Sequence, residues 1–346
     1  MGMYVGKKRV TPILTKSRTD RLQRICDTIN SLQYTFSGYK GQSLDEILNG
    51  LDVSRVIRFQ HMCDSCQNLT SFPKLIAPNA ADLQHSFAST TRLKSIDLSG
   101  FGDGTYDTYI NSIFKYSGIE SVKFSPNCRI TQGTSAFESC SNLKSVEGLD
   151  LSQCEYTNYM FRGCTLMANH PVYNLAKSEN ATYMFEANTA LTTIELENCK
   201  PKNVGQMFRD CANLVTIKTI NLYSATSLGG FVYGCSSLEN LTLKNIRKSI
   251  QIGGTTYGTL LTDESLINTA KELWDLTGST SQTLTVSTTS NTRFDEIYVK
   301  LATPTAEQIA EDEYINNKKP CEVCESTDEG AMTLREYVVS KNWALA

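Results

Sequence analysis

Apolar positions in the middle of the chain recur with a period of about 24 residues. We count each repeat from an anchor position, which is occupied by Cys63, Phe87, Phe114, Phe137, Phe161, Phe185, Phe208 and Val232. In most repeats a small residue stands three positions after the anchor, and apolar residues stand six and nine positions after it. One such unit cannot bury its apolar side alone and does so by stacking on copies of itself. The pattern therefore predicts a repeat solenoid.

Alternating apolar and polar residues within the repeats predict short strands. Examples are Ile96-Asp97-Leu98, Ile194-Glu195-Leu196 and Leu241-Thr242-Leu243. Each has one face directed inward, and stacked copies form a parallel sheet along one side of the coils. The predicted fold class is an α/β repeat solenoid over residues 51–254, with about eight coils of roughly 24 residues and a parallel sheet on one face.

The segment before the repeats predicts helices. Between Ser17 and Leu32 a helical stripe is formed by Leu22, Ile25, Cys26, Ile29 and Leu32. Further on, Ser43-Leu44-Asp45-Glu46 has the pattern of a capping box at the start of a short helix. Residues 17–50 are therefore predicted to form a helical N-terminal cap that covers the first coil.

The segment after the repeats, residues 255–346, predicts a small α/β cap domain. Thr262 is suited to cap a helix with acidic residues in its first turn, and Gly278 is suited to end it. Thr333 is predicted to cap a final helix that runs through Tyr337, Val338 and Trp343. Trp274 and Trp343 are assigned to the core of this cap.

The 12 Cys residues mostly follow the repeat. The position three after the anchor holds Cys66, Cys140, Cys164, Cys211 and Cys235, where Cys acts as a small hydrophobic residue. Cys63 and Cys66 have C-x-x-C spacing only because they occupy two repeat positions. Cys321 and Cys324 form a second C-x-x-C, which is half of a four-ligand zinc site. Three readings of this pair stay open: free or locally bridged thiols, a metal site completed by another chain, or a redox site.

Composition excludes several classes of function. The net charge is −3, so no basic field attracts a nucleic acid or an anionic membrane. Hydrophobic residues make up 40% of the chain, and no stretch approaches the ~18 apolar residues of a membrane span. The first residues lack the apolar run of a secretory signal, which predicts either a cytosolic origin or a signal removed before residue 1.

Catalytic motifs are missing from the sequence. The 3 His have no metal-ligand spacing, and no nucleophile elbow, dinucleotide-binding turn, phosphate loop or zinc-protease helix occurs. We therefore expect no catalytic residues, no cofactor and no enzymatic activity.

One repeat position is a candidate for binding. Two residues before the anchor stand His61, His85, Ser112, Ser135, Tyr159, Tyr183, Gln206 and Gly230. Residues at one repeat position align in space, so this row predicts a polar and aromatic strip suited to a protein or a glycan. The candidate ligand-binding residues are His61, His85, Tyr159, Tyr183 and Gln206. The alternative is that they are ordinary half-buried side chains of the turn.

The repeats carry a Met-Phe-x-x-Cys-x-x-Leu-x-x-Leu signature. It stands complete from Met207 to Ile217, in part at Met160-Phe161 and Met184-Phe185, and Leu51-Asp52-Val53-Ser54-Arg55-Val56 is similar to the turn that precedes such units. Over residues 51–250 the chain resembles the leucine-rich repeats of bacterial surface proteins. This resemblance implies the fold and says almost nothing of the ligand.

The flanks resemble segments of gut-bacteriophage and prophage virion proteins. Residues 1–12 are similar to their N-terminal segment, and Leu260 to Gly278, Thr283 to Val286 and Val339 to Leu345 are similar to their closing cap, with an insertion around Pro304 to Met332. This implies a non-enzymatic tail or head fibre, or a surface-decorating component, assembled in the host cytoplasm. Residues 1–16 would bind other virion proteins, and the solenoid would bind a bacterial surface protein or glycan. A homo-oligomer, either a trimer or a dimer, stays open.

Two other functions stay open for the same repeats. One is a bacterial cell-surface adhesin or an intracellular protein-interaction scaffold. The other, less favoured, is a hydrolase that acts on a host polysaccharide.

Overall fold

The computed structural model describes residues 16–253, 259–274, 276, 279–301, 323–325 and 331–346. The chain divides into two compact units, each described here by itself. The first comprises Met1–Ile130 and Val146–Leu149, and the second comprises Thr131–Ser145 and Asp150–Ala346. Residues 1–15 of the predicted docking segment, Cys321 and most of the predicted insertion lie outside the described residues.

The first unit begins with a helix and continues as stacked coils. Its elements are α1 (Lys16–Ile29), α2 (Asp45–Leu48), β1 (Ser95–Leu98), β2 (Asp107–Tyr109) and β3 (Ser121–Phe124), while β4 (Arg129–Gln132) and β5 (Ser145–Glu147) include residues of both units. β1 and β3 pair in parallel, with Ile96 opposite Val122 and Leu98 opposite Phe124. All four of these side chains are buried, so the alternation that predicts the strands also fixes their inner face.

The second unit contains a parallel sheet followed by an α/β segment. The sheet has the order β6 (Tyr173–Asn174), β7 (Thr193–Glu197), β8 (Thr216–Asn221) and β9 (Asn240–Lys244). After it come β10 (Ile250–Gln251), α3 (Asp263–Lys271), β11 (Gln282–Thr285), α4 (Thr288–Glu296), β12 (Tyr298–Leu301), β13 (Val323–Glu325), β14 (Met332–Thr333), α5 (Leu334–Ser340) and β15 (Trp343–Leu345). The predicted leucine-rich-repeat-like solenoid with parallel strands is confirmed.

Each coil crosses the side opposite its strand through two tight turns. The residues two before and two after the anchor have a left-handed backbone, as at His61 (φ 53°) and Ser65 (φ 59°). Within the coil, Met62 N donates to Phe59 O (2.9 Å) and Cys66 N donates to Cys63 O (3.2 Å). The alternate amides bond to the following coil. There, His61 N donates to Gln84 O (2.9 Å) and Cys63 N donates to Ser86 O (2.8 Å). Half of the backbone N–H groups of this segment thus stabilise the turns, and the other half join one coil to the next.

The solenoid starts earlier than predicted. Helix α1 ends at Ile29, and the next residues already form a coil with Phe36 as its anchor and left-handed backbone at Tyr34 (φ 57°) and Gly38 (φ 68°). Its amides bond to the coil of Cys63, with Phe36 N donating to Met62 O (2.9 Å). The sequence hid this coil because Tyr39, Gln42 and Asp45 stand at the three positions where most other coils have one small and two apolar residues. The coil count therefore differs slightly from the predicted eight.

The predicted capping box in this coil is wrong. Helix α2 has four residues, and its N-cap Leu44 makes no side-chain hydrogen bond. The Ser43 hydroxyl instead accepts the Asp45 amide (3.0 Å) and donates to the Asp45 carboxylate (2.5 Å). Both helices predicted for residues 17–50 are present, as α1 and α2, and the residues between them form a coil of the solenoid.

Anchor side chains form buried columns within each unit. In the second unit the rings of Phe137, Phe161, Phe185 and Phe208 stack in parallel at centroid distances of 5.3, 5.8 and 5.5 Å. The column ends where Val232 takes the anchor position. Phe231, one residue earlier, meets Phe208 edge to face at 5.4 Å. Aromatic pairs of both kinds add to the stability gained from burial.

The repeated Cys residues complete the backbone hydrogen bonding. Four of the five thiols donate to the anchor carbonyl of the preceding coil: Cys66 to Phe36 (3.0 Å), Cys164 to Phe137 (3.2 Å), Cys211 to Phe185 (2.9 Å) and Cys235 to Phe208 (3.0 Å). Burial raises the pKa of the Cys164 and Cys211 thiols well above the ordinary value and that of Cys235 to about 12. The thiols of Cys164, Cys211 and Cys235 therefore stay protonated at neutral pH, whereas the hydrogen bond with Cys63 lowers the pKa of Cys66.

The C-terminal helices begin where predicted and end earlier. Thr262 accepts the Ser265 amide (3.2 Å), and Thr333 forms a capping box with Glu336. Helix α3 ends at Lys271, well before the predicted Gly278, because Leu273 bridges to Ile246 in an extended conformation. Helix α5 ends at Ser340, so Trp343 lies in β15 and outside the predicted helix. Trp343 is buried and donates its Nε1–H to Trp274 O (2.8 Å).

A buried Lys closes the end of α3. Lys341 is 3% exposed, and its ammonium group donates to the carbonyls of Ala270 (3.2 Å), Lys271 (3.2 Å) and Leu273. The last carbonyls of a helix have no intrahelical partner, and a cation is favoured near them. This contact ties α5 and the segment after it to α3.

His170 occupies the position nine after the anchor, where Ile194, Ile217 and Leu241 stand in later coils. Its ring lies edge to face with Phe161 (4.9 Å) and Phe185 (5.0 Å). Nδ1 is 3.5 Å from the Tyr173 hydroxyl, and Nε2 is buried with no hydrogen-bond partner among the described residues. Burial lowers the pKa of His170 to about 3.

A left-handed backbone conformation is energetically less favourable for Ala than for Gly. Two neighbouring coils differ in this way at the same repeat position. Gly163 (φ 71°) and Ala187 (φ 59°) occupy the same position in neighbouring coils. A Cβ on Gly163 would lie no closer than 3.7 Å to Ser139, so it would fit without a clash. The effect of Gly163→Ala on stability is therefore set by backbone strain. We expect Gly163→Ala to lower the free energy of unfolding by about 1 kcal/mol and Ala187→Gly to raise it by less, since Gly loosens the unfolded chain. Urea denaturation followed by circular dichroism measures both, and a stabilising Gly163→Ala would contradict the turn assignment.

The low pKa of His170 predicts a loss of stability in acid. The unfolded chain binds a proton on this residue below pH 6.5, whereas the folded chain does so only near pH 3. Stability therefore falls as the pH drops through 6.5. Between pH 7.5 and 5.0 we expect His170 to account for a loss of about 2 kcal/mol. The variant His170→Leu, which introduces the residue that Leu241 supplies at the same repeat position, is expected to lack this pH-dependent loss of stability. Equal losses in both proteins, measured by urea titration at the two pH values, would refute a buried neutral His.

Candidate functional site

The predicted binding row is assembled by the turns. In the first unit His61 lies between two other rings, with centroid distances of 4.6 Å to Tyr34 and 4.6 Å to His85 and interplanar angles of 8° and 4°. In the second unit Tyr159 and Tyr183 stack at 4.8 Å and 7°. The structure thus brings four of the five predicted ligand-binding residues into parallel stacks. It leaves their role in binding a prediction.

Tyr34 belongs to this row and was missed by the sequence prediction. It stands two residues before Phe36, has a left-handed backbone and is 55% exposed. The signal that could have found it is the pattern Tyr-x-Phe, which repeats the spacing of His85 to Phe87 and Tyr159 to Phe161.

The stacks present ring edges to solvent. Neighbouring coils are held at the separation of hydrogen-bonded strands, about 4.8 Å, which is also the stacking distance of aromatic rings. The two faces of His61 are covered by Tyr34 and His85, and its side chain is 20% exposed. Ring edges carry the phenol hydroxyls and imidazole nitrogens. A ligand therefore meets hydrogen-bonding atoms at a fixed spacing.

Charge is held close to the His stack. Nδ1 of His61 lies 2.9 Å from the Asp64 carboxylate, which stands one residue after the anchor. Burial lowers the pKa of His85, and the neighbouring His61 lowers it further. His85 is therefore a neutral ring at pH 7, able both to donate and to accept a hydrogen bond.

In the second unit a line of alternating charges runs beside the Tyr stack. The position one after the anchor holds Glu138, Arg162, Glu186 and Arg209 in successive coils. Arg162 pairs with Glu138 (3.5 Å) and Glu186 (2.5 Å), and Arg209 lies 4.0 Å from Glu186. Both Glu side chains are 9% exposed. Their charges are compensated by the Arg on either side, which is the condition for burying them.

The charged line and the aromatic row contact each other. The Arg162 guanidinium lies 5.6 Å from the centre of the Tyr159 ring, and Arg209 donates to Gln206 Oε1 (2.7 Å). We call Tyr159, Arg162, Tyr183, Gln206 and Arg209 the turn-face patch. All five side chains are half-buried and each has a neighbour that fixes its position. The patch offers aromatic edges, guanidinium donors and an amide, which are groups for binding.

Within the described ranges, no group of three or more His, Cys, Asp or Glu side chains is placed to hold a metal ion. Cys324 lies in β13 opposite Lys300 of β12. Of the helices in the part of the chain that the structure describes, none combines the length and apolar character needed to cross a membrane.

Comparison with known proteins identifies the repeats. No curated protein matches the chain. A crystal structure of a leucine-rich repeat protein from Bacteroides ovatus ATCC 8483 is 15% identical, covers 67% of this chain and 76% of that chain, and superposes with a TM-score of 0.30. Residues 131–245 match the family described as Mycoplasma protein of unknown function, DUF285.

A second family model covers the earlier coils. Residues 60–177 match the BspA type leucine rich repeat region in six copies. This match includes the turns at His61 and Ser65, the Phe137–Phe161 part of the anchor column and the thiol of Cys164. The coils within residues 60–177 are therefore similar to leucine-rich repeats of the BspA type.

Proposed function

We propose that this protein is a non-enzymatic binding protein whose turns contact a protein or a glycan on a bacterial surface. The observation that carries the proposal is the Tyr159–Tyr183 stack at 4.8 Å beside Arg162, whose charge is held between two carboxylates. Tyr and Arg are the residues most often responsible for affinity in protein interfaces.

Preorganisation supports a binding role. Ordering a long side chain at an interface costs about 0.5–1.5 kcal/mol. In the turn-face patch Arg162 and Arg209 are already placed by Glu138, Glu186 and Gln206, and the Tyr rings are placed by each other. The backbone beneath is fixed by hydrogen bonds between coils, such as Tyr159 N to Thr182 O (3.0 Å). A ligand therefore meets groups that need little further ordering.

We further propose that the protein is a bacteriophage virion component, either a tail or head fibre or a surface-decorating protein. Support comes from the resemblance of residues 1–12 and of the C-terminal segments to virion proteins. In this arrangement residues 1–16 bind other virion proteins and the solenoid binds the host. The BspA-type repeats support a second placement, an adhesin on the bacterial cell surface.

Removal of the Tyr stack is expected to weaken attachment. Two other coils have Ser112 and Ser135 at the repeat position that Tyr159 and Tyr183 occupy in their coils. The double variant Tyr159→Ser/Tyr183→Ser therefore introduces a residue that this turn already accommodates. We expect its binding to whole bacterial cells, measured by flow cytometry over a panel of isolates, to fall about tenfold or more, because truncation of a Tyr that is a hot spot of an interface costs about 2 kcal/mol or more.

Tyr298→Ser is the matched control for this variant, since Tyr298 is 48% exposed and lies on β12, outside the coils. If the double variant attached as well as the unchanged protein, the turn face would not be the binding surface.

The supernatants of the same cell samples test the non-enzymatic part of the proposal. Soluble saccharide released above the level of a no-protein sample would show that the protein is a hydrolase.

The virion placement is tested by imaging. Antibody raised against residues 51–254 is applied to purified phage particles and viewed by negative-stain electron microscopy. We expect label on the particle exterior. Label on intact bacterial cells and never on particles would support the adhesin and exclude the virion.

A further inference from the structure

A surface depression of about 350 Å³ lies in the second unit, outside the turn-face patch. It is lined by Arg247, Lys248, Trp274, Leu276, Ser279, Thr280 and Gln282. These residues come from the segment after β9, the end of the α3 region and the start of β11. The volume is at the lower end of the range for small-molecule sites, which suits a group the size of one sugar residue.

Arg247 is held in place by aromatic rings. Its guanidinium carbon lies 4.3 Å from the centre of the Trp274 ring and 5.0 Å from that of Tyr223. The two rings are themselves in contact, with centroids 5.8 Å apart and planes at 56°. Stacking engages the flat face of a guanidinium and leaves its in-plane N–H groups available. These groups match the two oxygens of a carboxylate or a phosphate.

Positive charge at the depression is not neutralised by the described residues. Arg247 and the adjacent Lys248 are exposed, and among the described residues no carboxylate forms an ion pair with either. Other cations of the same unit are paired, such as Lys202 with Glu179 (2.6 Å) and Lys218 with Glu195 (2.9 Å). A pair of cations that no described carboxylate neutralises favours an anion at this place.

The rest of the lining is suited to a sugar. Ser279 and Thr280 are exposed and bring hydroxyl groups, and Leu276 adds an apolar wall. Gln282 has its Oε1 fixed, because it accepts hydrogen bonds from the Ser249 amide (2.9 Å) and hydroxyl (3.0 Å). Its side chain is therefore held in one orientation beside Arg247 and Lys248.

We infer that this depression binds a saccharide unit that carries an oxyanion, with Arg247 bidentate to the carboxylate or phosphate and Lys248 supporting the charge. Ser279 and Thr280 bond to the sugar hydroxyls. The site is independent of the turn-face patch and of the function proposed for it, because the two surfaces share no residue.

The test is a titration of the full-length protein with D-glucuronate, D-glucose 6-phosphate, D-glucose and inorganic phosphate, followed by tryptophan fluorescence and by ligand-detected NMR. Trp343 is 2% exposed, so Trp274, in contact with Arg247, is expected to report the ligand. We expect glucuronate, glucose 6-phosphate or both to bind, and glucose not to bind. Binding of one alone identifies the oxyanion and supports the proposal.

Variants make the test specific. Arg247→Gln is expected to weaken binding about tenfold or more. Arg92→Gln, the same change at another exposed Arg, is expected to leave it unchanged. Circular dichroism checks that both are folded, and Lys248→Gln gives a second measurement with a smaller loss. Three results overturn the proposal: neither acidic sugar binds, glucose binds as well as they do, or Arg247→Gln binds like the unchanged protein. Inorganic phosphate that binds as tightly as glucose 6-phosphate would overturn the part concerning the sugar.

Discussion

Hydrogen bonding from coil to coil is the constraint on which the rest of this structure depends. Alternate turn amides such as Cys63 N bond to the following coil, and this fixes the separation of the coils at that of paired strands. Aromatic rings stack at the same distance, so any ring placed two residues before the anchor meets its neighbour face to face. The buried Phe column, the surface stacks and the thiol-to-carbonyl bonds all follow from this one spacing.

The backbone accepts strain in order to keep that spacing. Both turns of a coil need a positive φ, and many coils supply it with Ser, His, Tyr or Ala where Gly would be easier. Most coils therefore carry a side chain two positions before the anchor, although Gly would adopt this left-handed backbone at a lower energetic cost. Strained residues collect where a protein binds or acts, and the row formed by His61, His85, Tyr159 and Tyr183 fits that rule.

Periodicity predicted the coils, the strands and the alignment of the binding row, since each depends only on residue spacing. It failed for Phe36, because its coil lacks the repeat's small and apolar residues at the later positions. It also failed for the ends of α3 and α5, where pairing of Leu273 and Trp343 with distant strands overrides helical periodicity. The charged line and the Arg247 depression were also missed. They depend on which side chains meet across coils, such as Arg162 with Glu186, and single-residue patterns do not contain that information.

The alternating line of Glu138, Arg162, Glu186 and Arg209 limits how many coils this solenoid can gain or lose at once. Deletion of the coil that holds Arg162 would place Glu138 beside Glu186, and two nearly buried carboxylates without a cation between them cannot both stay ionised. Duplication of one coil would likewise bring two like charges together. In this part of the solenoid, coils are therefore gained or lost without electrostatic penalty only two at a time, so the natural unit of growth is a pair of coils, about 47 residues.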